Sequence, residues 1–177
     1  MAEYILNERV WAENALRNAG APRSFPAMLR VAKYYYACGY KKNDVAQKMG
    51  EYVIRSSPDA SLVKYQDTID RCVSVAERQK LVELDGIPVM QSEMELVGQQ
   101  PTVAKRKLLF TLIVLARFMN AVNTKNNNWV NAEQRDIFTM ANVSINMRRR
   151  GEMLHEMKEA GLIDFSCIVD NTNVRVL

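Results

Sequence analysis

The 177-residue sequence predicts a mainly α fold: an N-terminal helical bundle followed by a C-terminal helix–turn–helix and a small β-hairpin. Three observations carry this. Apolar residues recur at spacings of three and four through most of residues 4–122, the signature of amphipathic helices. Residues 132–141 form a short helical run that stops at Asn142-Val143, and Ser144 opens a second helix, so a tight turn joins the two. Leu162-Ile163 then starts an alternating segment that turns at residues 170–173 and returns over 174–177. With 48% hydrophobic residues the chain can bury a core, and 25% charge is that of an ordinary globular protein.

In order along the chain, residues 4–19 place Leu6, Val10, Trp11, Ala15 and Leu16 at helical spacing, closed by Gly20-Ala-Pro. Ser24 caps a second helix with Pro26 in its first turn, where a missing N–H costs nothing. That helix runs to Cys38 and Gly39, with Leu29, Ala32 and Tyr36 inward and Met28 and Tyr35 beside them. Asn43 starts a third helix on Val45, Met49 and Val53. Ser57-Pro58-Asp59 is a loop, and residues 62–80 form a fourth helix with Tyr65, Ile69, Cys72, Val73 and Ala76 in register. Three consecutive tyrosines, Tyr34, Tyr35 and Tyr36, point about 100° apart on a helix, so they are core packing and not one stacking platform.

Residues 81–89 alternate around Asp85-Gly86, a turn pair that predicts a small hairpin. A capping box at Ser92 and Glu95 opens a short helix ending near Gly98. Gly98-Gln-Gln-Pro101 is the predicted boundary between a bundle over 1–98 and a second domain over 102–177. Thr102 caps a helix over 103–122, whose stretch 108–119 is apolar but holds Arg117. About 12 apolar residues are too few to span a bilayer, so this is a core helix and no membrane association is expected. Residues 123–128 are a polar loop, Trp129-Val130 a short strand, and Asn131 with Gln134 a cap for the next helix.

Helix, tight turn, helix ending at Gly161-Leu-Ile and then a hairpin resembles the winged helix-turn-helix superfamily, over about residues 103–177. The resemblance implies a second helix, residues 144–160, that lies in the major groove of double-stranded DNA. With Met147, Gly151, Leu154 and Met157 inward, Asn146, Arg149 and Met153 face away, flanked by Arg148 and Arg150. Asn suits adenine and Arg suits guanine in that groove, while Ser144 at the N-cap suits a phosphate. Close approach to the preceding helix would explain Gly151, which costs about 1 kcal/mol relative to Ala. Lys105, Arg106 and Lys107 open the long helix where backbone contact is possible, and Arg175 is the only basic residue of the hairpin. A wing of this family is often basic; this one, with Asp170 at its tip, departs from that pattern.

Upstream, residues 29–53 are similar to helical modules near primase C-termini in phage and plasmid replication proteins. The whole chain also resembles small uncharacterised proteins of Firmicute phages. Together these imply a DNA-binding protein of a phage or mobile element, acting in replication initiation, helicase loading or transcriptional control. A protein partner or self-association through the bundle fits the same picture. The alternative is an adaptor or inhibitor of a host protein that uses the winged helix as an interaction module.

Charge points the same way when counted about residue 100. Residues 1–100 carry 13 Lys/Arg and 13 Asp/Glu, whereas residues 101–177 carry 11 and 7, so the excess lies with the helix–turn–helix. Cys38, Cys72 and Cys167 are widely spaced, odd in number and set among apolar residues, which predicts reduced and mostly buried thiols in a cytoplasmic protein. Catalysis is not expected. The single histidine, His155, has no triad partner at suitable spacing, and no P-loop, GxSxG, HExxH or CxxC occurs. Asp67/Asp70 and Glu93/Glu95 are read as exposed helix and cap positions, so neither a metal nor a cofactor is expected.

Overall fold

The computed structural model describes residues 4–18, 20–56, 61–168 and 171–177. The expected loop at Ser57-Pro58-Asp59 and the Asp170 end of the hairpin turn lie outside them. The chain divides into two compact units, Tyr4–Asp85 and one built on Gly86–Leu177.

The first unit holds α1 (Glu8–Arg17), α2 (Phe25–Ala37), α3 (Lys42–Ser56) and α4 (Leu62–Ala76). Helix α2 touches α1, α3 and α4, and so it is buried almost all round. Ala27, Met28, Val31 and Ala32 face the core, and even Arg30 and Lys33 are buried. Of the predicted inward face, Ala32 is buried and Leu29 and Tyr36 pack half-buried against the core, while contact with three helices widens the buried surface to Ala27 and Val31. Gly39, at φ +88, supplies the left-handed turn that ends α2. Helices α3 and α4 bury the expected residues, Val45, Met49 and Val53 on one and Ile69, Cys72, Val73 and Ala76 on the other. But α3 starts at Lys42, so Asn43 is inside it and not its cap, and α4 ends at Ala76, short of residue 80.

Helix α1 starts later than its apolar spacing suggested. The Asn7 side chain accepts from the Val10 amide at 3.0 Å and caps it, which leaves Leu6 and Val10 exposed. Glu8, the first residue, is buried. Its carboxylate takes the Lys33 ammonium, lies 3.9 Å from the Arg30 guanidinium and accepts the Val82 amide at 2.8 Å. Backbone bonds from Glu8 to Val82 and from Leu84 to Leu6, each 2.8 Å, lay residues 82–84 against residues 6–8. The hairpin predicted over 81–89 does not form. Its first arm pairs with the chain before α1, in a bridge between Asn7 and Glu83.

The second unit holds α5 (Gln91–Gly98), α6 (Val103–Val122), β1 (Trp129–Val130), α7 (Gln134–Met140), α8 (Met147–Glu159), β2 (Ile163–Ile168) and β3 (Asn171–Val176). Helix α5, which the sequence placed with the bundle, packs on α6, where Glu93 pairs with Arg117 at 2.7 Å. Its cap is two residues earlier than the expected box: Glu93 accepts from the Met90 amide at 2.7 Å. Thr102 caps α6 as expected, accepting from Lys105 N at 3.3 Å, and Leu108, Leu109, Leu112, Ile113, Leu115 and Ala116 are buried.

The three strands form one antiparallel sheet in the order β1-β3-β2. Trp129 lies opposite Arg175, Val130 opposite Val174, and Ile163 opposite Val176. This shape, a helical bundle followed in sequence by helices and a small three-stranded sheet, is consistent with a winged C-terminal element.

Candidate nucleic-acid interface

Helix α7 begins after Glu133 and not at Asn131, whose amide is instead directed at Met119 Sδ at 3.3 Å. The turn that follows depends on Asn142 at φ +50, a conformation Asn tolerates better than most residues. It lets the Val143 amide reach back to Phe138 O at 3.0 Å, and Val143 is buried. The chain then leads into α8, capped by Asn146 and not by Ser144. The Asn146 side-chain oxygen accepts from Arg149 N at 2.9 Å, so the amide expected to meet adenine is already serving as a cap. Ser144 is exposed, two residues outside the helix.

The helix is also rotated from its predicted phase. Met153, Leu154 and Met157 are buried, while Met147 is 81% exposed and Gly151 faces open space. A Cβ at Gly151 would meet nothing within 4 Å, so close helix packing does not account for it. Arg150 turns toward the core edge. Its guanidinium lies 5.7 Å from the Phe138 ring centroid and donates to Ile145 O at 3.1 Å.

Arg148 and Arg149 are exposed but paired. Arg148 donates to Glu152 at 3.0 Å, and Arg149 donates to Glu152 at 2.9 Å and to Glu156 at 3.0 Å. Glu156 also takes Lys105 of α6 at 2.8 Å. The bonds from Arg149 and Arg148 hold the Glu152 carboxyl below its ordinary range, and Lys105 does the same for Glu156. Their carboxylates in turn push the Arg149 guanidinium up. The arginines of α8 thus lie in its first two turns, interleaved with acid, and the exposed Lys158 of its last turn pairs with Asp164 at 2.7 Å.

Lys107 is exposed at the start of α6, and neighbouring Arg106 donates to Gln100 O at 2.7 Å. Arg175 on β3 donates to Asn127 O at 3.2 Å, which makes it a brace for the loop. The eight residues singled out from sequence therefore lie in one unit, but they do not form one continuous cationic face.

Counting charge within the actual units changes its distribution. Divided after Asp85, residues 1–85 carry 13 Lys/Arg against 11 Asp/Glu, net +2, and residues 86–177 carry 11 against 9, net +2. The asymmetry about residue 100 disappears because Glu93 and Glu95 belong with the second unit. The cysteine expectation is half met: Cys72 is buried, with its thiol pushed up to about 11 by burial, but Cys38 at the end of α2 is exposed. The side chain of Cys167 lies outside the described residues.

Sequence reasoning missed the asparagine framework behind β1. Asn120 of α6 accepts the Asn128 amide at 3.0 Å, and Asn126 donates to Trp129 O at 2.6 Å. Asn127 and Asn128 sit at φ 53 and 63. The run of Asn in residues 123–128 was the available signal, since Asn both tolerates positive φ and bonds to nearby backbone.

Among the described residues no group of three or more His, Cys, Asp or Glu could hold a metal ion, and no helix is long and apolar enough to cross a membrane. His155 is exposed and pairs with Glu159 at 3.2 Å. Compared with known proteins, the chain matches no family model, no curated protein and no solved structure. The class its fold defines is mainly helical: a helical bundle followed in sequence by helices and a small three-stranded antiparallel sheet.

Proposed function

We propose that the protein belongs to the winged helix-turn-helix superfamily and binds double-stranded DNA, without catalysis, through the first two turns of α8. One observation supports this above the others. The second helix of the helix–turn–helix presents its N-terminal end to solvent, with the Arg148 side chain 89% exposed. The carboxylates beside it do not abolish the role, because exposed ion pairs are weak and exchange readily for phosphate. The likeness of residues 29–53 to primase-associated modules favours replication initiation or helicase loading of a phage or mobile element over transcriptional control. The bundle would then dock a protein partner or a second copy.

Duplex binding followed across a salt series tests the proposal. Log K should fall by about 0.9 per phosphate contact for each log unit of salt, and Ala at both Arg148 and Arg149 should remove binding while the thermal midpoint stays within a few degrees. Absence of duplex affinity at about 50 mM salt would overturn it. Glu152 and Glu156 favour a second reading, an adaptor or inhibitor that binds a protein, in which Met147 and the paired arginines meet a mixed polar and apolar surface. Salt-insensitive binding to a protein, with none to DNA, would select that reading.

A further inference from the structure

The outer face of the sheet carries a feature that α8 does not use. Val130 and Val174 are buried on the inner face, so the pleat turns Trp129, Arg175, Asn173 and Ser166 outward. There an open depression of about 400 Å³ is lined by Trp129, Asn131, Asn173 and Ser166 on one side and by Lys125 and Asn126 of the loop on the other. The side chains of Asn131, Ser166 and Asn173 have no hydrogen-bond partner among the described residues.

The geometry points to this depression as a binding site for an unpaired nucleotide, a second nucleic-acid surface that extends the duplex reading of α8 without depending on it. Its volume falls in the range of small-ligand sites. The Trp129 indole offers a face on which any base can stack. Asn131 and Asn173 each offer an amide N–H donor and a carbonyl acceptor, the pair that matches the edge of a base. Lys125, exposed at the rim, supplies the cation a phosphate needs and a neutral ligand does not. The site is also stiff, because Asn126 holds the Trp129 carbonyl and Asn120 holds the adjoining turn. A base within a duplex is stacked on both sides and cannot enter a concave face, so the ligand must be single-stranded or free.

The chain has two tryptophans, so Trp11→Phe leaves Trp129 as the sole fluorophore. Titrating that full-length variant with a 12-mer of thymidylate should quench the emission saturably, and a blunt duplex should not. Thymidine monophosphate separates the sources: much weaker quenching than the 12-mer assigns a strand, and equal quenching assigns a free nucleotide. Ala at both Asn131 and Asn173 should weaken binding at least tenfold without lowering the thermal midpoint. Anisotropy of a labelled 12-mer with Lys125→Glu repeats the test on a chain with both tryptophans. Ala at Arg148 and Arg149 should leave the 12-mer affinity intact, which separates failure here from failure of the α8 proposal. No quenching by 12-mer or monophosphate, equal quenching by duplex, or indifference to the Asn131 and Asn173 changes would overturn the site.

Discussion

Both units set cations over rings and against acids, but the second gathers several exposed cations on two shared carboxylates. In the first, several guanidinium and ammonium groups lie over rings: Arg71 is 4.9 Å from Phe25, Arg23 5.6 Å from Tyr65, and Lys48 4.6 Å from Tyr40. In the second, Arg148, Arg149 and Lys105 converge on Glu152 and Glu156. A ring attracts a cation through its quadrupole and leaves the formal charge in place, whereas a carboxylate cancels it. The α8 arginines proposed to meet DNA are therefore cations that nearby acids compensate. Shape and charge are separate arguments for nucleic-acid binding, and here they are not equally strong.

The largest break of this contrast is expected at the buried acid of the first unit. Glu8→Ala strands Lys33 and Arg30 without their carboxylate, and removing one partner of a buried pair costs about 3–5 kcal/mol. Calorimetry should show a large drop in the midpoint of residues 4–85. Next comes the phase of α8. Met153→Ala should cost about 2–5 kcal/mol, as for other buried methionines, while exposed Met147→Ala should stay within about 0.5 kcal/mol. Equal effects in denaturant titrations would show that the helix is rotated differently.

Smaller is the response of DNA affinity to the acids themselves. Glu152→Gln removes the negative charge shared by Arg148 and Arg149 and should raise duplex affinity severalfold with little change in stability, measured by anisotropy at fixed salt. Lower affinity would mean that Glu152 orients those arginines for binding. The smallest effect is chemical. Cys38 should react with a thiol reagent at pH 8 and Cys72 should not. Because burial raises the Cys72 thiol to about 11 against about 8.5 unfolded, its contribution is intact below about pH 8.5 and is lost as pH rises toward 11. Rapid modification of both cysteines at pH 8 would contradict the buried position.

Much of the fold was legible because single helices obey local rules. Helices α3, α4 and α6 each bury one stripe, and the Thr102 cap and the Trp129-Val130 strand are written in a few adjacent residues. What failed depended on distant partners. Residues 82–84 found residues 6–8 in place of their neighbours past Asp85-Gly86, and α2 buries more than its predicted stripe because three helices touch it. The phase of α8 was ambiguous locally: Met147 and Gly151 extend one apolar row and Met153 another, and the burial of Met153 is seen only in the folded chain. The candidate site was legible as a position and much less so as a surface, since no residue type reveals that an arginine is already engaged.

Glu156 is bonded by Lys105 from α6 and by Arg149 from its own helix at once. An approaching phosphate that draws Arg149 away leaves Glu156 still held by Lys105, so it displaces a rival that has somewhere else to go. Yet that rival is tethered, and its effective concentration beside Arg149 stays fixed however far the protein is diluted. For the duplex binding proposed for α8, Glu156 would thereby act as a built-in competitor, one that sets a floor on how strongly a polyanion must bind to be retained.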